Sequence, residues 1–295
     1  MTDASESSVV ICGLPASGKT TFLAALWYVV FEKRDPDALL KFDSLSGVDF
    51  SHLNAIMRRW QHAKEQIHTE ITSGKTVSMN LKDGAERRIQ MAFPDLSGES
   101  FQQMWEDREC DPKLADLLRN GAGILLFVHA DKIKHPMGAA ETTRQAGGLD
   151  ASGAGAGTAV GWHPKDAPTA VQLVEMLQLM RCPALQVPAR RLAVVLSAWD
   201  KVMEEEPDIR PEAYLARELP LLDQYLRYGD GGWTVRTYGL SAQGGDFERE
   251  GKLDDEARNE RVAAIRKLED ASSRITLISS EPSHDLTEPI AWLTK

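Results

Sequence analysis

Short runs of consecutive apolar residues, separated by polar or glycine-rich stretches, recur along the chain. Such runs are typical of strands that are buried on both faces of a parallel sheet. The Asp83-Gly84 pair lies between two weaker runs and favours a hairpin there. The predicted strands are residues 8–13, 76–81, 88–93, 123–128, 191–196 and 234–238.

Apolar residues at helical spacing fill much of the chain between these strands. Residues 35–48 are instead rich in Pro, Asp, Ser and Gly, and we predict a loop there. The predicted helices are residues 19–34, 49–69, 112–119, 169–181 and 211–228. This alternation predicts an α/β three-layer sandwich: a mostly parallel six-stranded sheet with one antiparallel edge strand and helices on both faces.

A single domain, residues 8–295, explains the chain better than two domains. A length of 295 residues allows two domains, but the predicted strands follow one order and share one sheet. Two segments explain the extra length. A Gly/Ala-rich stretch at about residues 136–165 is predicted to be a flexible insertion. A helical extension is predicted at about residues 250–295.

The chain has 34 Lys and Arg residues against 44 Asp and Glu residues, and therefore a net charge of −10. Proteins that bind nucleic acid or anionic membranes non-specifically need a positive surface, so the charge disfavours both classes. The longest apolar run, residues 22–31, is too short to span a bilayer. Three cysteines without close spacing predict neither a zinc site nor a disulfide framework. We expect a cytoplasmic protein with no membrane span and no nucleic-acid partner.

Residues 13–20, GLPASGKT, match the phosphate-loop pattern G-x-x-x-x-G-K-[ST] at every fixed position. The glycines let backbone N–H groups surround a phosphate, and the following helix points its positive end at the same anion. Lys19 is expected to bind the β and γ phosphates, and Thr20 to ligate Mg²⁺. An apolar strand precedes the motif and an apolar helix follows it, so we predict a P-loop NTPase fold that binds a nucleoside triphosphate. The predicted phosphate-binding residues are Gly13, Ala16, Ser17, Gly18, Lys19, Thr20 and Thr21.

A D-x-x-G pattern, Asp95 to Gly98, follows the predicted strand at residues 88–93. An aspartate at this place can hold Mg²⁺ through water, and a glycine three residues later can offer its N–H to the γ-phosphate. We therefore predict Asp95 as a metal residue and Gly98 as a phosphate-binding residue.

Two marks of a guanine site follow the later strands. Asp200 comes shortly after the strand at residues 191–196, and its carboxylate could accept hydrogen bonds from guanine N1–H and the 2-amino group together. Ser241-Ala242 follows the next strand and resembles the loop whose backbone N–H meets guanine O6. All these motifs lie at the carboxyl ends of strands, where ligands bind in open α/β sheets. The predicted ligands are GTP and Mg²⁺.

This order of motifs resembles the translation-factor-related (TRAFAC) class of GTPases, with its small-GTPase core. More narrowly, the chain is similar to the bacterial double-GTPase family in the sequences of residues 13–27, 93–101, 166–178 and 283–293. The resemblance covers residues 9–293 except the insertion. It implies GTP hydrolysis and a place in bacterial multi-gene conflict systems. It also implies protein partners, either a second GTPase or a helical effector.

The base motif departs from that of most GTPases, which is N-K-x-D with the lysine packed over the guanine. Here Ser197 and Ala198 stand in place of the Asn and the Lys, so stacking must come from elsewhere. Trp199 is adjacent and is our candidate, although a tryptophan beside a buried strand is also a typical core residue. We expect a guanine preference of modest size.

The hydrolytic machinery departs as well. Glu99 stands where many GTPases place a water-orienting glutamine, and an ionised carboxylate is unfavourable beside the γ-phosphate. We predict Glu99 as a catalytic position with slow intrinsic hydrolysis, which a partner-supplied arginine would accelerate. Arg108 is a candidate for an arginine from the same chain. Thr72 and Thr76 both qualify as the threonine of the first switch.

Three functions are compatible with these residues. The leading one is a GTP-binding switch with slow, regulated hydrolysis. The second is a nucleotide-binding scaffold without hydrolysis, which Glu99 and the altered base motif favour. The third is an ATP-dependent phosphotransferase, which would commonly need an arginine-bearing lid.

Overall fold

The structure, a computed structural model, describes residues 7–46, 50–66, 77–94, 98–136, 163–229, 231–248 and 256–295. Within these residues nine strands form one sheet, in the order β2-β3-β4-β1-β5-β6-β7-β8-β9. The strands are β1 (Ser7–Gly13), β2 (Lys41–Ser46), β3 (Val77–Lys82), β4 (Arg88–Phe93), β5 (Gly123–His129), β6 (Arg191–Ser197), β7 (Thr234–Ser241), β8 (Thr276–Ile278) and β9 (Pro282–Ser283).

The centre of the sheet is parallel, and both of its sides are antiparallel. Strands β4, β1, β5, β6 and β7 pair in parallel. The pairs β2/β3, β3/β4, β7/β8 and β8/β9 are antiparallel. The α/β class is therefore as predicted, whereas the prediction of six strands with one antiparallel edge strand is wrong.

The three strands absent from the prediction lack the continuous apolar pattern of the central strands. Strand β2 lies in the predicted loop at residues 35–48, and only Phe42 and Leu45 in it are apolar. Its hydrogen bonds go to β3, which is far away in the sequence. Strands β8 and β9 have three and two residues and lie in the predicted helical extension. Pairing with a neighbour, rather than local propensity, defines such short edge strands.

The described helices are α1 (Lys19–Trp27), α2 (Phe50–Gln61), α3 (Glu99–Glu106), α4 (Pro112–Asn120), α5 (Thr169–Arg181), α6 (Trp199–Glu205), α7 (Pro211–Glu218), α8 (Pro220–Tyr228), α9 (Glu256–Arg266) and α10 (Glu288–Leu293). Helix α1 continues as a π-helical turn, Tyr28–Lys33. The predicted helix at residues 211–228 is two helices, because Pro220 has no N–H to continue the first. Within the described ranges, no helix has the length and apolar character needed to cross a membrane.

Helices cover both faces of the sheet, and alternation along β1 separates the two cores. Val9 and Ile11 belong to one core, which also contains residues of α1, α2 and α10. Val10 and Cys12 belong to the other, which contains residues of helices α3 to α8. The carboxyl ends of β1, β5, β6 and β7 share one edge of the sheet, because these strands are parallel. The candidate site lies at this edge, as expected for open α/β sheets.

Candidate nucleotide-binding site

The loop between β1 and α1 has the backbone that its two fixed glycines permit. Gly13 and Gly18 have φ angles of 148° and 94°, which side-chain-bearing residues rarely adopt. A Cβ atom on Gly13 would lie 2.6 Å from the carbonyl oxygen of Phe127, and one on Gly18 would lie 2.8 Å from Ser197 Oγ. The loop therefore packs too tightly against β5 and β6 for any other residue at these two places.

The Lys19 ammonium is folded back over this loop. Lys19 is 2% exposed, and its Nζ donates hydrogen bonds to the carbonyl oxygens of Gly13 (2.9 Å) and Leu14 (3.0 Å) and to Ser17 Oγ (3.3 Å). A cation held above a ring of backbone groups at a helix N-terminus makes a cradle that suits a phosphate. Thr20 and Thr21 follow on the first turn of α1 and line the same cleft.

Gly98 lies directly over the phosphate loop. A Cβ atom on Gly98 would lie 2.7 Å from both Lys19 Nζ and the backbone nitrogen of Pro15. The fold thus brings together the loop lysine and the glycine of the D-x-x-G pattern. Gly98 also precedes α3, whose first residue is the exposed Glu99. Asp95 lies outside the described residues, as do Thr72 and Thr76, so their predicted roles stay predictions.

Asp200 and Ser241 meet at the other end of the cleft. Ser241 Oγ donates a hydrogen bond of 2.8 Å to Asp200 Oδ1, and the backbone N–H of Gly244 donates to Ser241 Oγ at 3.1 Å. Burial raises the pKa of Asp200, and the hydrogen bond from Ser241 partly offsets this. Ala242 follows Ser241 and also lines the cleft. The carboxylate is thus oriented by the loop that follows β7.

Ser197 connects the two ends of the cleft, although it stands where most GTPases have an asparagine. It is 6% exposed, and its Oγ donates a hydrogen bond of 2.8 Å to the carbonyl oxygen of Ser17 in the phosphate loop. Ala198 then takes a left-handed conformation (φ 56°) and starts α6, which carries Asp200.

The structure places Trp199 in the core and not in the cleft, which corrects the expectation that it stacks on a base. Its side chain has no exposed surface. The indole lies over Gly239, where a Cβ would be 2.4 Å away, and its ring meets that of Tyr214 edge-on at 5.3 Å. A side chain enclosed in this way has no face left for a ligand.

One cleft of about 290 Å³ joins the phosphate loop to Asp200 and Ala242. Its wall also contains residues that the motifs did not indicate: Lys64, Glu65, Gln66, Gln243, Gly245, Asp246, Phe247 and Arg258. Gln243 Nε2 is buried without a hydrogen-bond partner in the described part of the chain. A buried donor of this kind is costly unless a ligand satisfies it.

Arg108 is directed away from the cleft. Its guanidinium pairs with Glu175 Oε1 of α5 at 2.5 Å and lies over the ring of Trp105, 5.2 Å from the centroid. Arg108 does not line the cleft. This arrangement disfavours it as an arginine acting on the phosphates from the same chain.

The residues present fit a magnesium nucleotide. The tight cradle at Gly13, Gly18 and Gly98, together with the Lys19 cation, suits a polyphosphate. The Gln243 amide, which has no hydrogen-bond partner among the described residues, and the oriented Asp200 carboxylate suit a base that presents both acceptors and donors. Thr20 is available for the metal at the start of α1.

A β-strand, a phosphate loop, a helix and a cleft at the carboxyl ends of parallel strands define a P-loop nucleotide-binding protein. Residues 10–293 match the Double-GTPase 1 family, and the chain belongs to that family. Membership in this family supports a GTP-binding domain. No curated protein matches the chain.

The chain is also similar, at low sequence identity, to parts of several solved structures. A bacterial selenocysteine-specific elongation factor is 12% identical with a TM-score of 0.34, over 80% of this chain and 26% of that one. Sup35 complexed with GDP is 14% identical with a TM-score of 0.33, over 82% and 40%. The GTPase-like domain of S. cerevisiae Ski7 bound to GTP is 11% identical with a TM-score of 0.42, over 90% and 51%. The chain thus spans less than half of the elongation factor and of sup35.

Proposed function

We propose that the protein is a GTP-binding switch with slow intrinsic hydrolysis. The observation that carries the proposal is the single cleft that joins the phosphate loop to the Asp200–Ser241 pair. Its two chemically different ends suit a nucleotide with the phosphates at Lys19 and the base at Asp200.

Guanine is the base that this end of the cleft favours. An ionised Asp200 accepts from guanine N1–H and the 2-amino group, while adenine presents an acceptor at N1 and would leave the carboxylate unsatisfied. The hydrogen bond from Ser241 occupies Oδ1 and orients the group. Ala242 and Gln243 follow Ser241 and line the cleft. The backbone N–H of Ala242 and the side-chain amide of Gln243 are the candidate donors to guanine O6.

The phosphate end requires charge neutralisation. Lys19 and the backbone N–H groups of the loop would hold the phosphates, and Thr20 with Asp95 would hold Mg²⁺. The metal ion supplies neutralisation of the negative charge that develops between the β and γ phosphates. Segments at about residues 69–76 and 96–109 would be ordered by the γ-phosphate and would loosen after its loss.

Slow hydrolysis follows from the residue at position 99. An ionised Glu99 would add negative charge near the γ-phosphate. Unlike the amide of a glutamine, it cannot donate a hydrogen bond to a γ-phosphate oxygen. Because Arg108 is paired with Glu175, we propose that an arginine from a protein partner supplies the stimulation, with an effect of about 10³–10⁵-fold. That partner would be a second GTPase or a helical effector.

Phosphate release over several hours tests the proposed activity. The wild type should release phosphate slowly but above the level of Lys19→Ala. We expect Glu99→Gln to accelerate release about tenfold, a gain of ~1.4 kcal/mol in transition-state stabilisation, because the amide removes the charge and can orient water. Glu281→Gln, an exposed position outside the cleft, is the matched control.

Release no faster than that of Lys19→Ala would instead favour the scaffold without hydrolysis, for which Glu99 is the specific argument. An unchanged rate in Glu99→Gln, with measurable wild-type hydrolysis, would show that Glu99 is not what slows the reaction.

We propose one domain over residues 8–295, with an insertion at about residues 136–165 and an extension at about residues 250–295. We also propose a cytoplasmic protein of a bacterial multi-protein conflict system. The extension contributes α9, whose Arg258 lines the cleft, which supports treating it as part of the nucleotide-binding domain.

A further inference from the structure

The loop after β7 is attached to the core by the indole of Trp60. Trp60 lies in α2, and its side chain has no exposed surface. Its Nε1 donates a hydrogen bond of 2.8 Å to the carbonyl oxygen of Ala242, and this bond is buried. A helix that carries none of the nucleotide motifs therefore holds the loop that we expect to meet guanine O6.

This hydrogen bond also fixes the direction of the next backbone donor. The N–H and C=O groups of one trans peptide unit point in opposite directions. Because the Ala242 carbonyl group is directed at the indole, the N–H of Gln243 is directed away from it. Ala242 and Gln243 both line the cleft, and Gln243 Nε2 is buried without a hydrogen-bond partner in the described part of the chain. Trp60 therefore orients the backbone that carries the candidate donors to guanine O6.

The Trp60 ring is itself held in place by two neighbours. The guanidinium carbon of Arg274, a residue that precedes β8, lies 4.2 Å from the ring centroid, within cation–π range. Arg274 also donates hydrogen bonds to the carbonyl oxygens of Trp60 and Gln61 in the last turn of α2. The ring of Tyr28 lies 5.2 Å from that of Trp60, at an angle of 45°. An indole packed in this way has little freedom to move away from Ala242.

Arg274 packs against the same loop. Gly244 has a φ angle of 74°, and a Cβ atom on it would lie 2.5 Å from both Cβ and the carbonyl oxygen of Arg274. The backbone N–H of Gly244 donates to Ser241 Oγ, which in turn donates to Asp200 Oδ1. The loop is therefore bonded to the base-binding carboxylate on one side and packed against Trp60 and Arg274 on the other.

We propose that Trp60 is a positioning residue for recognition of the base. It holds the Ala242–Gln243 peptide where its donors meet guanine O6, and Arg274 keeps the indole in place. This inference rests on the proposed function, because it assumes that a guanine base lies at Asp200. It goes beyond that function by assigning part of the base selectivity to α2 and to the C-terminal segment, which lie outside the nucleotide motifs.

Binding of three ligands by Trp60→Phe tests the inference, because this substitution keeps a buried aromatic ring and removes the N–H. The ligands are GTP, inorganic tripolyphosphate, which has no base, and 6-thioguanosine triphosphate. The last keeps the N1–H and 2-amino donors for Asp200 but has sulfur, a weak acceptor, in place of O6. We expect Trp60→Phe to bind GTP about tenfold more weakly and 6-thioguanosine triphosphate less than about threefold more weakly. Tripolyphosphate should bind as it does to the wild type.

Gly244→Ala displaces the same loop and leaves the Trp60 N–H in place. The added Cβ atom does not fit against Arg274 unless the loop moves. We therefore expect the same order of losses, with GTP affected most and tripolyphosphate unaffected. This second variant decides the question in the same way if Trp60→Phe does not fold.

Trp27→Phe is the matched control. Trp27 is also fully buried, and its Nε1 donates a hydrogen bond of 3.0 Å to Asn54 Oδ1 of α2, but Trp27 does not line the cleft. Trp27→Phe should lower the melting temperature, because a buried hydrogen bond is lost there too. It should leave the affinities for all three ligands unchanged.

Two results would overturn the inference and leave the proposed function standing. One is a Trp60→Phe variant that loses affinity equally for all three ligands, or loses none for GTP, since Trp60 would then not act through the base. The other is equal wild-type affinity for GTP and 6-thioguanosine triphosphate, since the loop would then not recognise O6. A wild type that binds tripolyphosphate as tightly as GTP would overturn the proposed function itself.

Discussion

Replacing Lys19 with alanine is expected to weaken GTP binding about a hundredfold, a loss of ~3 kcal/mol, because a hydrogen-bonded cation is removed from a buried phosphate site. Lys19 is 2% exposed, and its ammonium lies within 3.0 Å of two carbonyl oxygens of the loop. The other lysines that line the cleft among the described residues, Lys64, Lys132 and Lys201, lie outside α1 and the phosphate loop. Calorimetric titration with Mg²⁺–GTP measures the effect.

Lys113→Ala is the control for this substitution, because Lys113 is exposed on α4 and does not line the cleft. It should bind GTP as the wild type does. Equal GTP affinity in Lys19→Ala and the wild type would contradict the assignment of the phosphate loop. Because Lys19 also satisfies carbonyl groups of the loop, a thermal melt of Lys19→Ala must accompany the titration to confirm that the variant folds.

Replacing Asp200 with asparagine is expected to weaken GTP binding about a hundredfold, a loss of ~3 kcal/mol, and to strengthen binding of xanthosine triphosphate. The amide of asparagine can donate a hydrogen bond, so it suits the 2-oxo group of xanthine and no longer accepts both donors of guanine. Because Asp200 is held by Ser241 Oγ at 2.8 Å, the new amide should keep nearly the same position.

Competition among GTP, xanthosine triphosphate and ATP measures this exchange. Asp208→Asn, at an exposed position outside the cleft, is the control and should show no change. If Asp200→Asn loses affinity for GTP without gaining affinity for xanthosine triphosphate, the loss comes from damage to the loop after β7 and not from a change in recognition of the base.

The parallel centre of the fold could be predicted because its strands carry their own signal. Strands β5 and β6 are continuous apolar runs with almost every residue buried. The edges could not be predicted in this way. In β2, Phe42 pairs across to Leu81, and this distant partner, rather than the local pattern, makes the segment a strand. Pro220 indicates a helix boundary, but the helical spacing of the apolar residues on both sides of it predicts one continuous helix.

The two ends of the candidate site were predictable from motifs, because each motif follows a strand and parallel strands bring their carboxyl ends together. Asp200 and Ser241 meet as expected of such an edge. The wall between these ends was not predictable. Phe247 reaches the cleft through backbone pairing of Glu248 with Ala63, which no local pattern indicates. The burial of Trp199 cannot be predicted from the sequence, because only the packed structure shows that Gly239 leaves space for its indole.

The relative affinity of the wild-type protein for GTP and ATP tests the central claim most directly. The protein is stripped of any nucleotide that co-purifies with it and is titrated with each triphosphate in the presence of Mg²⁺. We expect GTP to bind at least about tenfold more tightly than ATP, a difference of ~1.4 kcal/mol from the contacts of the base with Asp200. Equal affinity for the two nucleotides, or tighter binding of ATP, would contradict the account.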